Sequence, residues 1–394
     1  MATDSPFFIS RIECPICKTI NELQTVRVGA YTEQGRDTDF CPTDIEWRFK
    51  RYQNHNPLLY FTATCSNCFY TREFNNSFKE WKKDTNFITY RLKSIKPQHL
   101  DQLAQAGSVL KLMGEAIDTQ RFPNESAILK LHLAVYDELL ADHPSNLDLG
   151  RFYLRIGWVF RAMNRLGNPA TNALGNLTSD IDNRFAGMDS ALESFAKEMR
   201  AFERHWQAQF DNAEIPSEIK AQMVPFQESI ASGVNGCRQA FGDMEAQLNQ
   251  LGQALNEYKG TVLDEQDGVT GVGFAGRNSF TDYLKEVRLT WDGVTINERT
   301  ALEKAVSYYQ AAFSDGRDIS PGYQQLQASY LIAELSRRVG DYDGARQYFN
   351  STIKYGQDFI YRNRNDRSRT ALARKILELA IEQGRANMEA LKTA

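Results

Sequence analysis

No stretch of this 394-residue chain is apolar for the roughly 20 residues that a membrane-spanning helix needs. Met1 to Arg11 lacks a cationic start followed by an apolar core, so no signal peptide is expected. The five histidines show no paired spacing such as His-Glu-x-x-His, and no nucleophile motif is present. An excess of positive charge is missing too: the formal net charge of −4 argues against a protein built mainly to neutralise phosphates. The chain is therefore expected to be cytoplasmic, with its six cysteines reduced, and not to be an enzyme. What is present is the make-up of an ordinary soluble protein, 42% hydrophobic and 24% charged, long enough for two or three structural units.

Four of the cysteines fall in two pairs, Cys14-Pro15-Ile16-Cys17 and Cys65-Ser66-Asn67-Cys68. A two-residue gap lets both thiolates of a tight turn face one ion, and two such turns complete the four-sulfur tetrahedron that zinc accepts. Leu58 to Thr64 reads as a strand and Leu23 to Val28 as its partner. Together these describe a small β zinc ribbon in which Cys14, Cys17, Cys65 and Cys68 ligate a structural Zn2+. So small a ribbon has little apolar core, and metal binding, of order 10 kcal/mol in zinc-finger peptides, is expected to supply most of its stability. Thiol exchange fits less well, because neither pair opens a helical run whose dipole would activate a thiol. Cys41 and His55 lie between the pairs as alternative ligands, but four cysteines already close the site. Their expected roles are a buried thiol and a loop imidazole, and Cys237, alone in a helix, is expected in a core.

From Lys96 onward the apolar spacing becomes helical. His99 to Ile117 and Ser126 to Ala141 read as two helices, the second with Leu129, Leu133, Tyr136 and Leu140 on one face. Tyr153, Ile156, Gly157 and Phe160 then mark the first half of a helix pair. Its second half is expected only at Ala301 to Phe313, where Ala305, Tyr309 and Ala312 recur at helical spacing. Between them stands an insertion from about Arg165 to Ile296. Ile181, Phe185, Met188, Leu192, Phe195, Met199, Phe202 and Trp206 form one coiled-coil seam. Ile230, Val234, Cys237, Phe241, Met244, Leu248, Leu251, Leu255 and Tyr258 form a second. An antiparallel hairpin of roughly 30 residues and 45 Å per arm is the simplest fold, although an antiparallel dimer through the arms fits the same heptads. Gly271 to Gly276 matches Gly-x-Gly-x-x-Gly but follows no strand, so it reads as a return loop and not as a dinucleotide cradle. Phe280 to Val287 reads as a short amphipathic helix.

Leu326 to Ile353 reads as two helices joined by Gly340-Asp341-Tyr342, with glycine to end one and aspartate to start the next. The run Gly340-Asp341-Tyr342-x-x-Ala345-x-x-Tyr348-Phe349, with Ala333 in the small-residue slot, resembles a tetratricopeptide (TPR) repeat. Ser329, Ser336 and Gln357 stand where Trp, Tyr and Pro are usual. Thr370 to Gly384 is expected to cap the open end. Arg362, Arg364, Arg367 and Arg369, just before it, suit a solvated loop better than a grip on an acidic peptide or phosphate.

A second resemblance rests on motif order: Cys-Pro-x-Cys, then Arg36-Asp37-Thr38-Asp39-Phe40-x-Pro42, then Asn56-Pro57-Leu58-Leu59-Tyr60, then Cys-x-x-Cys-x-Tyr70. It is similar to a bacterial domain-of-unknown-function family in which a cysteine-rich segment precedes TPR-like helices. The resemblance covers roughly residues 10–165 and 296–380, implies the interrupted repeat, and brings no established activity. Within it, Asp37 and Asp39 read either as a polar binding patch beside the ribbon or, preferably, as a turn whose carboxylates cap backbone groups. Arg48, Lys50 and Arg51 near Trp47 and Phe49 raise nucleic acid as a partner. Asp37, Asp39, Asp44 and Glu46 dilute that patch, and a mixed-charge loop fits better.

The expected architecture is mainly α. A zinc-ribbon-like domain spans 10–95, a discontinuous TPR-like domain spans 96–164 and 296–390, and a coiled-coil hairpin with a Gly-rich loop is inserted at 165–295. The expected function is that of a non-enzymatic adaptor or scaffold engaging a protein partner, the alternative being a nucleic-acid-binding zinc-ribbon protein.

Overall fold

The structure is a computed structural model. It describes residues 5–166 apart from 50, 51, 53 and 54, residues 274–277 and 279–393, and scattered positions between 193 and 250. Its contacts divide the chain into two units, Met1–Met163 with Gly273–Ala394, and Asn164–Val272.

In the second unit every described position from 193 to 250 is helical except Pro216, which marks the expected break. Of the two coiled-coil seams only Phe195 and Met244 are described, and both are exposed. The remaining seam residues, Cys237 among them, lie outside the described residues, as does the pairing of the arms.

Among the described residues the first unit is mainly helical, with three two-stranded antiparallel sheets in its N-terminal part. Strand β1 (Phe7–Glu13) pairs with β2 (Ile20–Val26), β3 (Tyr31–Glu33) with β4 (Ile45–Trp47), and β5 (Thr62–Thr64) with β6 (Thr71–Glu73). This corrects the expected pairing of Leu23 to Val28 with Leu58 to Thr64, since β2 takes its partner from β1 instead. Pro57 presets a helical φ and the Asn56 side chain accepts from the Leu58 N–H, so Pro57–Tyr60 turns as a short 3-10 helix and only Thr62–Thr64 remains extended.

Helices follow as α1 (Asn76–Lys79), α2 (Lys93–Ala104), α3 (Val109–Glu115), α4 (Pro123–Leu139) and α5 (Asn146–Leu166). The helix expected over His99 to Ile117 is thus two, parted where Gly107 takes φ +70°. After residue 272 come α6 (Phe280–Thr290), α7 (Glu298–Asp315), α8 (Tyr323–Val339), α9 (Tyr342–Arg362) and α10 (Arg367–Thr393). Phe274 and the α6 residues Tyr283, Leu284 and Val287 are buried in one core with Leu110, Met113 and Leu149, so the chain rejoins the body well before residue 295.

Helices α5 and α7 pack directly on each other although the second unit separates them in sequence. A Cβ on Gly157 would lie 2.8 Å from Leu302 Cδ2, and one on Gly150 would lie 3.2 Å from the Tyr309 ring. The rings of Tyr153 and Tyr308 stack at 5.6 Å. The two expected halves of the interrupted helix pair therefore meet. The next pair, α8 and α9, turns at Gly340 with φ +90°, and the Asp341 side chain accepts from the Gly344 N–H at 3.0 Å. Where a TPR carries a tryptophan, Ser329 is buried and accepts from the Thr352 hydroxyl at 2.9 Å. Helix α10 covers this pair with Ala373, Ile376 and Ala380.

His132 on α4 secures the return of the chain. It is fully buried, its Nδ1–H donates to the Ile128 carbonyl at 3.0 Å, and its Nε2 accepts from the Thr295 N–H at 3.0 Å. Burial pushes its pKa down to about 4, well below the usual 6.5, so it is neutral in the folded protein. A depressed folded-state pKa gives a contribution that is complete above the unfolded value and lost as pH falls through the folded one. At about 1.4 kcal/mol per unit, the protein should lose on the order of 3 kcal/mol between about pH 6.5 and 4 from this residue. Urea denaturation at pH 7.5 and 5 should show that loss reduced in His132→Gln.

Candidate metal centre

The two Cys-x-x-Cys turns have the same backbone design. In the first, the Cys14 N–H donates to the Thr19 carbonyl at 2.8 Å and the Lys18 N–H to the Cys14 carbonyl at 3.1 Å, with Lys18 at φ +67°. In the second, Cys65 donates to Tyr70 at 2.9 Å and Phe69 to Cys65 at 3.0 Å, with Phe69 at φ +63°. Each turn curls both of its thiols to one side.

The four sulfurs meet at one point. Cys14 and Cys68 Sγ are 3.6 Å apart, Cys17 and Cys65 Sγ are 3.5 Å apart, and all four lie within 4.8 Å of one another. A disulfide needs about 2.05 Å. A tetrahedron of sulfurs at the Zn–S distance of 2.3 Å has edges of about 3.8 Å, so the donor set and its spacing fit a four-coordinate thiophilic ion. Cys14, Cys65 and Cys68 are buried and Cys17 is partly exposed. Hydrogen bonds from Cys14 and Cys68 hold the Cys65 thiol far below its ordinary pKa, while the same contact with Cys65 pushes Cys14 up to about 12.

The second turn is built into the helical body. His99 of α2 donates from Nε2 to the Cys68 carbonyl at 2.9 Å and from Nδ1 to Asp137 of α4 at 2.6 Å. Burial alone would lower its pKa, but the Asp137 carboxylate outweighs this and raises it. Asp137 also accepts from the Thr71 N–H at 2.6 Å. Asn21 donates to Cys65 Sγ at 3.5 Å and accepts from the Ser66 N–H at 2.9 Å. The cysteines share a core with Ile12, Ile16, Tyr70, Trp81, Phe87 and Ile95, so the cluster has more apolar support than the sequence led one to expect.

Other sequence candidates lie elsewhere. Cys41 is buried, its thiol 3.5 Å from the Pro42 carbonyl, and His55 bonds Tyr60. Neither joins the four-sulfur cluster. Trp47 is buried among Phe7, Tyr31, Tyr52 and Tyr60, which leaves its ring no face for a base. Arg362 and Arg369 pair with Asp358 and Asp366 at the exposed junction of α9 and α10.

Asp37 and Asp39 do cap backbone groups, at Thr38 and Cys41. They also do more than the sequence indicated. Arg161 of α5 bonds Asp39 at 2.8 and 2.9 Å, Asp37 at 3.0 Å and Glu298 of α7 at 2.7 Å. Trp158 donates to Asp39 at 3.1 Å, Arg338 of α8 bonds Asp37 and Glu334, and the Tyr330 hydroxyl donates to the Thr38 carbonyl at 2.8 Å. Burial would raise the pKa of Asp37, but the Thr38 N–H and the Arg338 and Arg161 cations hold it below the usual carboxylate value. The β3–β4 loop is thereby anchored on α5, α7 and α8. Sequence reading missed Arg161, Glu298, Glu334 and Arg338; the available signal was a charged residue at 161, four after Gly157 on the inward stripe of α5.

Fold and site together describe a mainly helical protein carrying a four-cysteine ribbon-like centre. The chain belongs to a family described as an uncharacterised protein conserved in bacteria (DUF2225), which matches residues 7–215 and 286–375. No curated protein and no solved structure matches it.

Two substitutions test how the centre and the loop are held. A Cβ at Gly114 of α3 would fall 2.1 to 2.5 Å from the Phe69 ring, whose backbone is fixed by the second turn. Gly114→Ala should therefore destabilise by about 1–3 kcal/mol in chemical denaturation, reversing the gain of roughly 1 kcal/mol that alanine gives in an open helix. Asp39 is fully buried, and Asp39→Asn, which takes from Arg161 the carboxylate that bonds it twice and leaves it only Asp37 and Glu298, should cost about 3 kcal/mol by the same measurement.

Proposed function

We propose that this protein is a non-enzymatic scaffold in which Cys14, Cys17, Cys65 and Cys68 hold one structural zinc and the helical unit engages a protein partner. The observation that carries this reading is the closed character of the four-sulfur cluster: four thiols leave no coordination position for water or substrate, as structural zinc sites do. When bound, zinc would supply charge neutralisation and cross-linking of the two turns. The chain's own residues hold the turns in place: Asn21 at Cys65, and His99 with Asp137 behind Cys68. Pairing of partly buried charge supports a structural role for these side chains, since Arg91 bonds Glu138 and Arg151 bonds Glu73 and Asp148. Helix pairs stacked side by side offer the kind of surface that binds peptides and helices.

Protein purified without added metal should contain about one zinc per chain by elemental analysis, and Cys17→Ser with Cys65→Ser should abolish it. Folded protein free of metal would sink the zinc assignment. Affinity purification from the native host should retain a discrete protein partner. Comparison with a chain lacking Thr178 to Lys259 will show whether that segment carries the contact.

A further inference from the structure

Arg151, Arg155 and Trp158 recur on one stripe of α5. The Arg155 guanidinium lies over the Phe61 ring at 4.2 Å and 5.8 Å from the Trp158 ring. Its Nη1 donates to the Arg151 carbonyl at 2.9 Å. No carboxylate bonds it within the described residues. Arg91, Arg151, Arg161, Arg337 and Arg338 each bond at least one carboxylate, whereas Arg72, over the Phe87 ring at 4.2 Å, is another arginine among the described residues with no carboxylate bond.

Glu73 and Asp148 favour the Arg155 cation from a distance but direct their oxygens to Arg151. Burial, together with the Arg151 cation, pushes the pKa of Arg155 below the ordinary guanidinium range, so this charge is left incompletely compensated. The Phe61 ring takes a face of the guanidinium. What remains is its edge, where Nε and Nη2 make a planar fork that accepts a carboxylate in two parallel hydrogen bonds. Arg155, Phe61 and Trp158 are all partly exposed, so the side chain is not closed off from solvent.

We propose that Arg155 is a docking point for a single carboxylate of a protein partner, an Asp or Glu side chain or a chain terminus seated between Phe61 and Trp158. This rests on the protein-partner reading above. Carboxylate is favoured over phosphate because carboxylates already stand on both sides of Arg155 along α5. Asp39 bonds Trp158, while Glu73 and Asp148 surround Arg151, so a second charge on the ligand would be repelled.

The test titrates full-length, zinc-loaded protein with acetate at constant ionic strength, following arginine Nε–H resonances by NMR. Expected is one saturable arginine shift that is lost in Arg155→Met, whose apolar stem still fills the space beside Phe61. The same variant should unfold at a temperature no lower than the parent, because it removes an unpaired cation. Absence of a saturable shift, its persistence in Arg155→Met, or a stronger response to inorganic phosphate than to acetate would each overturn the assignment. Undiminished partner capture by Arg155→Met would overturn the docking role while leaving the protein-partner reading intact. The acetate titration decides the site even if no partner is recovered.

Discussion

One buried guanidinium ties together parts of the chain that lie far apart in sequence. Arg161 bonds the β3–β4 loop through Asp37 and Asp39 and the first residue of α7 through Glu298. Its side chain is 8% exposed, and although burial would lower its pKa, Asp39 and Glu298 keep it raised and charged. Removing a charge of this kind from water costs several kcal/mol, and the attraction offsets that cost only when the geometry is good on every side. Three carboxylates at 2.7 to 3.0 Å meet that demand. An arrangement of this kind is often no more stable than an apolar core of the same shape. It gains a unique register, because sliding any one element would strand a charge.

The cysteine centre was legible because its chemistry is local. Two ligands on each tight turn are a two-residue pattern, and the rest of the tetrahedron follows from bringing two turns together. The pairing of α5 with α7 was legible for a related reason: Gly157 and Ala305 are small residues at helix-contact spacing, and such spacing survives an insertion. Strand partners were harder. Leu58 to Thr64 has the β-branched and aromatic content of a strand, yet Pro57 and the Asn56 cap convert its first half to a turn. Propensity over seven residues loses to one fixed φ and one cap.

The polar interior was the least legible part. His99, Asp137, Arg161, Glu298 and Arg338 are scattered through the chain, and each is an unremarked charge in its own segment. Only folding makes them neighbours. Asp39 illustrates the limit: its turn-capping role is written in Asp-x-Asp-Phe, but its bond to a helix more than a hundred residues away is not. The second cysteine turn shows the same split. Its ligands were evident, whereas the wedge of Phe69 against Gly114 depends on a break at Gly107 that helical periodicity alone smooths over.

The direct packing of α5 on α7 also sets an order of events during synthesis. Tyr153, Gly157 and Phe160 leave the ribosome with their apolar face uncovered, and the helix that covers it is made only after the whole of the second unit. At typical elongation rates of about 5–20 residues per second, that face waits for several seconds or longer. Over that interval the cysteine turns and α2 can already assemble, whereas α3 and α4 still await α6 and Thr295. Nascent chains of this protein are thus half-built around an exposed helical stripe, and demand for chaperone protection should be concentrated in that window.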